Sequence, residues 1–207
     1  MDDNRPKIYA FDFDGTLTRS DSLIEILRYK LGTKAFVLMM LRFLPMLLAM
    51  KAGLYANDKA KQRLFAYCFG GMTIDDFNAF CRRFAHERQG ILRPLGIEEV
   101  RRATEEGSIV AIVSASIDNW VAPFFDGIRS LMVIGTRPEV RDGRLTGRFA
   151  TPNCYGKEKV KRLLNVFPDR KSYHLIAFGD SRGDFDLLDF SDEGMYKPFR
   201  KGEKVKR

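Results

Sequence analysis

This 207-residue chain has no low-complexity stretch and no internal repeat, which excludes a disordered segment or a solenoid array. Cysteine is scarce. Cys68, Cys81 and Cys154 are odd in number and match no zinc spacing, so neither a disulfide scaffold nor a zinc module fits. No stretch resembling a secretory signal opens the chain, and with the unpaired thiols this sets the expectation of a reducing, cytoplasmic compartment. No extended alternation of basic and aromatic residues accompanies the net charge of +8, so it is not read as a nucleic-acid platform. Residues 35–50 form the longest apolar run, interrupted by Arg42 and Pro45, and are too short for a membrane span.

What is present is an apolar fraction of 45% and a charged fraction of 30%, the balance of a folded soluble protein large enough for a full core. The positive charge is uneven. Residues 197–207 hold six basic residues against Glu203, and without them the net charge falls to about +3. A solvated, frayed basic end is the expectation there, with contact to nucleic acid or to an anionic membrane surface as the lesser alternatives.

Three apolar runs, residues 7–12, 108–114 and 174–180, read as buried strands, and each delivers a polar residue at its C-terminal end. Helical patterns at residues 95–106 and 157–166 lie between them, the second ending before Pro168. The alternation predicts an α/β fold with a doubly wound parallel sheet, in which a ligand crevice lies beyond the carboxyl ends of the strands. Residues 131–136 are a further strand candidate, and Asp142-Gly143 marks a short hairpin. No strand pattern appears in residues 19–90. Helical runs at 22–31, 35–51, 57–68 and 74–88, the last capped by Thr73, predict a helical cap inserted between two core segments, residues 1–18 and 91–207. Within that cap, residues 35–50 are expected to be buried and kinked or restarted near Pro45, with an interfacial membrane helix as the alternative.

Chemistry concentrates at the strand ends. In Asp12-Phe13-Asp14-Gly15-Thr16 two carboxylates two residues apart meet a Gly-Thr turn, where the backbone can approach a ligand closely. Four fixed residues of this kind recur by chance in roughly one chain in a thousand of this length. One carboxylate can attack phosphorus directly, and the other can protonate the leaving alkoxide and later deprotonate water. Carboxylates alone would repel a phosphate, so a cation is required, and Mg²⁺ suits a site with few protein carboxylates. Asp180 and Asp184 at the end of the third strand are the metal candidates, Ser114 a phosphate donor, and a lysine early in the 157–166 helix a fixed positive charge.

These motifs, from Ile8 to about Tyr196, resemble the haloacid dehalogenase superfamily, in particular its phosphoserine-phosphatase-like branch with a helical cap after the first motif. The resemblance implies Asp12 as nucleophile and Mg²⁺ ligand, Asp14 as general acid/base with its carbonyl oxygen on the metal, Asp180 as ligand and Asp184 as its support. Thr16, Ser114, Ala115 and Lys159 are expected to hold the phosphate. Lys159 is favoured over Lys157 because members of the branch place leucine four residues later, where Leu163 stands. Asp21 occupies the position of a substrate-selecting glutamate, and Ser114-Ala115-Ser116 replaces a Ser-Gly-Gly motif, so phosphoserine is not the leading substrate. Intact Asp14 argues against a dehalogenase, which generally lacks it. A small cytoplasmic phosphate monoester is the expected substrate. The apolar cap is also similar to that of bacterial phosphatidylglycerophosphate phosphatases, which makes a phospholipid head group at the inner membrane face the alternative.

Overall fold

The computed structural model describes residues 5–200. A five-stranded, all-parallel sheet is its frame: β1 (Lys7–Phe11), β2 (Ile109–Ile117), β3 (Leu131–Thr136), β6 (His174–Gly179) and β7 (Glu193–Tyr196) lie in the order β3-β2-β1-β6-β7. β1 is central, with Phe11 opposite Ile112 on one side and Phe178 on the other. The order reverses beside β1, so the crevice expected of such a sheet opens between the ends of β1 and β6.

Alternation along the strands separates two apolar layers. Tyr9, Phe11, Val110, Ile112, Ile176 and Phe178 point into the larger one, where the Phe11 and Phe178 rings stack with centroids 4.3 Å apart. Ile8, Ala10, Ala111, Val113, Leu175 and Ala177 form the other. There Ala10, Ala111 and Ala177 sit side by side across three strands, and so small a row leaves room for α6 (Lys157–Val166), whose Leu163 packs in this layer. α4 (Pro94–Glu105) covers the larger layer through Val100 and Ala103, and α7 (Phe185–Phe190) joins the smaller one through Leu187. The one-turn α5 (Asp118–Val121) follows β2 and buries Trp120.

Between β1 and α4 run three helices: α1 (Ser22–Lys51), α2 (Asn57–Phe69) and α3 (Ile74–Glu87), the last capped by the Thr73 hydroxyl on the Asp76 amide. The chain leaves and re-enters the sheet layer at one point. Arg93 N donates to Leu17 O at 2.7 Å, and Arg19 N to Ile91 O at 2.8 Å. The antiparallel pair β4 (Pro138–Arg141) and β5 (Arg144–Phe149) does not extend the sheet but packs against the helices, with Leu145 bonded through its backbone to Gly71 and Met72.

Three expectations fail here. The break in α1 falls at Gly32 (φ 72°, ψ 162°), a conformation that costs any L-residue with a Cβ, and the helix continues through Pro45. Nor is the 35–50 segment buried. Phe36 and Met39 enter the core, but Leu38 is 67% exposed, and Val37, Leu41, Leu44 and Leu48 also face outward. An apolar run identifies a hydrophobic helix without saying how many of its sides other elements cover. The frayed end is also corrected as far as residue 200. Phe199 stacks on Phe178 at 5.5 Å and reaches Phe11, because the aromatic layer has room for one more ring. Residues 201–207 lie outside the described part.

Candidate active site

All three polar strand ends meet at one cavity of about 300 Å³. Asp12 follows β1 and its amide donates to Phe178 O at 2.9 Å, which ties it to the neighbouring strand. The chain then turns through Gly15 (φ 84°), where a Cβ would collide with the Asp180 carboxylate, so only glycine lets the two motifs approach. Thr18 fixes this turn, accepting from Gly15 N at 3.1 Å and donating to Ser20 O at 2.7 Å.

Lys159, on the first turn of α6 and 1% exposed, lies at the centre of the buried charges. Its Nζ is 2.5 Å from Asp12 Oδ1 and 2.7 Å from Asp184 Oδ1. Lys157, the other candidate, is exposed at the start of the same helix. Asp184 has both oxygens engaged, since Oδ2 accepts from Asp180 N, Ser181 N and Ser181 Oγ at 3.1, 2.9 and 2.8 Å. Burial pushes its carboxyl up, but Lys159 and the Ser181 donors outweigh this and hold it below the ordinary range. Burial also raises Asp12, with Lys159 opposing and Asp184 adding, to about 7.

Among the described residues no such cation pairs with Asp14. Its Oδ1 accepts from Ser22 N at 2.6 Å and its Oδ2 from Ser116 Oγ at 2.5 Å. Ser116 Oγ lies 3.0 Å from Ser22 Oγ, which accepts from Trp120 Nε1 at 3.1 Å. Burial first and the charge of Asp21 second raise the Asp14 carboxyl, while these hydrogen bonds lower it less. Two carboxyls two residues apart thus occupy different environments, the arrangement that separates a nucleophile from a general acid.

Ser114 and Ala115 line the cavity as expected, and the Ser114 hydroxyl accepts from Ser116 N at 3.0 Å. Thr16 does not line it: the side chain is 2% exposed and its hydroxyl has no partner among the described residues. Asp21 lines the cavity, but its Oδ1 caps α1 by accepting from Leu23 N and Ile24 N at 2.9 and 3.2 Å. Asp180 is raised by burial and by Asp184, and Arg200 pairs with its Oδ2 at 2.5 Å.

Oxygen atoms of Asp12, Asp180 and Asp184 lie within 4.8 Å of one another. An all-oxygen donor set of this kind fits a hard cation such as Mg²⁺. With both Asp184 oxygens hydrogen-bonded, Asp12 and Asp180 are the candidate ligands and Asp184 their support.

Sequence reading missed Arg19, Ser20, Lys61, Tyr155, Ser181 and Gly183 on the cavity wall, and the Ser22–Ser116–Trp120 cluster behind Asp14. Ser116 carried a signal, as the residue departing from a Ser-Gly-Gly motif. Lys61 carried none, because one lysine among several on a polar helix becomes distinctive only when α2 is folded over the site.

The model of the haloacid dehalogenase-like hydrolases matches residues 9–189. The chain belongs to this family. The hydrolase is 37% identical to "Protein CicA" of Caulobacter vibrioides over 95% of its own length and 88% of that protein's. A Bordetella pertussis Tohama I protein of unknown function shares its fold, with a TM-score of 0.78 at 21% identity over 93% of this chain and 89% of that one. So does a phosphoserine phosphatase solved as a phospho-aspartyl intermediate analogue, with a TM-score of 0.56 at 18% identity over 93% and 86%. The expected α/β fold with a doubly wound parallel sheet and a helical insertion is therefore the fold of this hydrolase.

Proposed function

We propose that this hydrolase cleaves phosphate monoesters through an aspartyl-phosphate on Asp12. The observation that carries the reading is the contrast between the two carboxyls of one turn: Asp12 on a buried cation, Asp14 on hydroxyl and amide donors alone. In the first step an Asp12 oxygen attacks phosphorus as the bond to the ester oxygen breaks, and the Asp14 carboxyl gives its proton to the departing alkoxide. In the second step the Asp14 carboxylate takes a proton from water, whose oxygen attacks phosphorus and releases phosphate and free Asp12. Lys159 offsets charge on the nucleophile, and the Ser114 hydroxyl, which accepts from Ser116 N, can donate to a phosphoryl oxygen. Mg²⁺ held by Asp12 and Asp180, with the Asp14 carbonyl as expected third protein ligand, would supply positive charge to the phosphoryl oxygens and favour the ionised form of Asp12.

The helices between residues 19 and 90 act in this reading as a lid that excludes water and selects substrate. Arg19 and Lys61 on the cavity wall favour a substrate carrying a further anionic group, and the capping role of Asp21 weakens the case for phosphoserine. Three free thiols, with Cys81 and Cys154 buried and raised by that burial, suit a reducing cytoplasm. Hydrolysis of p-nitrophenyl phosphate should require Mg²⁺ and fall by roughly a thousandfold or more in Asp12→Asn. Undiminished turnover in that variant would refute the assignment.

A further inference from the structure

Apart from Arg42 and the terminal Lys51, the outer arm of α1 is apolar. One stripe packs inward through Phe36 and Met39 with Met40, Phe43 and Leu47, while Val37, Leu38, Leu41, Leu44 and Leu48, at helical spacings of three and four, face out. Seven of the thirteen exposed large hydrophobics among the described residues fall between 37 and 67, including Leu54, which is 83% exposed just beyond the helix end. So concentrated a patch is a contact surface, because scattered exposed leucines are ordinary and a contiguous face of them is not.

Charge identifies what it contacts. From residue 26 to residue 57 there is no Asp or Glu, while Arg28, Lys30, Lys34, Arg42 and Lys51 are all basic. Arg42 lies over the half-exposed Tyr67 ring at 5.8 Å, and Arg63 over Tyr55 at 5.9 Å, so amphipathic aromatics and cations flank the apolar stripe. Tyrosine and arginine of this kind sit where a hydrocarbon layer meets charged head groups. By length and composition α1 is apolar enough to cross a membrane, but Gly32 breaks it and its first arm is held in the core by Leu23, Ile26 and Leu27. The remaining apolar arm of sixteen residues is about 24 Å long, shorter than the ~30 Å of a hydrocarbon core. A helix with one side fixed to protein and the other apolar and rimmed by cations lies in the interface plane.

We propose that the outer face of residues 35–51 docks this hydrolase on an anionic lipid bilayer. Docking needs no chemistry at Asp12, so its failure and that of the phosphatase reading are separable: Asp12→Asn should bind vesicles as the unaltered protein does. The test is co-sedimentation of the full chain with vesicles of phosphatidylcholine alone and with about one third phosphatidylglycerol, at low and high salt. Binding should be strong only to the anionic vesicles, weaken with salt, and fall roughly tenfold or more in Leu38→Glu/Leu41→Glu, while Leu38→Met/Leu41→Met retains it. Circular dichroism and p-nitrophenyl phosphate turnover should be unchanged in both variants. The proposal is overturned if the unaltered chain stays in the supernatant with anionic vesicles, or if the double glutamate variant sediments equally. It is also overturned if light scattering finds a dimer that the glutamates dissociate and that does not bind vesicles, since the occupant would then be a second copy.

Discussion

The strand-end cavity and the outer arm of α1 invert the usual distribution of polarity. At the cavity, charged groups are buried: Lys159 and Asp184 are each about 1% exposed and Asp12 6%. On the outer arm, leucines face solvent. Each is unfavourable by itself, and each is tolerated where the rest of the fold supplies a partner. The cavity supplies its partners internally, through Lys159 between two carboxylates and Ser181 beneath Asp184, so its geometry is fixed before a ligand arrives. The outer arm has internal partners on one side only. The contrast separates a region whose polar groups are satisfied within the fold from one whose apolar side chains are not covered by it.

Changes at the two places should therefore differ in size and in kind. The largest effect on stability is expected from Lys159→Met, which leaves the Asp12 and Asp184 carboxylates buried without their cation. Urea unfolding at pH 7.5 should lose roughly 3–5 kcal/mol, and an unchanged midpoint would mean that water reaches these carboxylates.

Removing the Asp12 charge should act the other way. In the folded chain that carboxyl keeps its proton to about pH 7, against an ordinary value of 3.8, so between these pH values the folded state binds a proton that the unfolded state has released. Stability contributed by the group therefore falls as pH rises through that window. With chelator present, Asp12→Asn should melt close to the unaltered protein near pH 4 and progressively higher than it up to pH 7. On the order of a few kcal/mol is expected above that. A constant difference across the range would show that burial does not govern this carboxyl.

The smallest effect belongs to the outer arm. Leu41→Gln should change the free energy of unfolding by less than about 0.5 kcal/mol, because the side chain has little protein around it. A loss of roughly 2 kcal/mol or more, the size expected for a buried leucine, would place another surface over it and erase the contrast.

Most of the site was legible because its chemistry is local. Asp12 and Asp14 share one turn, and Asp180 and Asp184 share another, so spacing alone places each pair on the same piece of backbone. Lys159 is preferred to Lys157 because Leu163 stands four residues later, and of the two it is Lys159 that is buried and lines the cavity. Thr16 could not be placed: whether a residue four positions past Asp12 faces the cavity depends on the path of the Gly15 turn, which packs against Asp180, 165 positions further along the chain. Short elements were hidden for a related reason. β7 and α7 are four and six residues long, and their patterns are too brief to stand out until β6 offers an edge to pair with.

By itself the sequence determined the alternation of strands and helices, the helical insertion and the carboxyl pairs that come to line the cavity, since each rests on periodicity or on neighbours a few positions apart. Only the tertiary structure decided which cations meet which acids, that Ser116 and Ser22 hold Asp14, that Phe199 and Arg200 return to the sheet, and that the apolar arm faces outward. Those are matters of which surfaces cover one another. Coverage is a property of the packed chain, to which residues distant in sequence contribute equally.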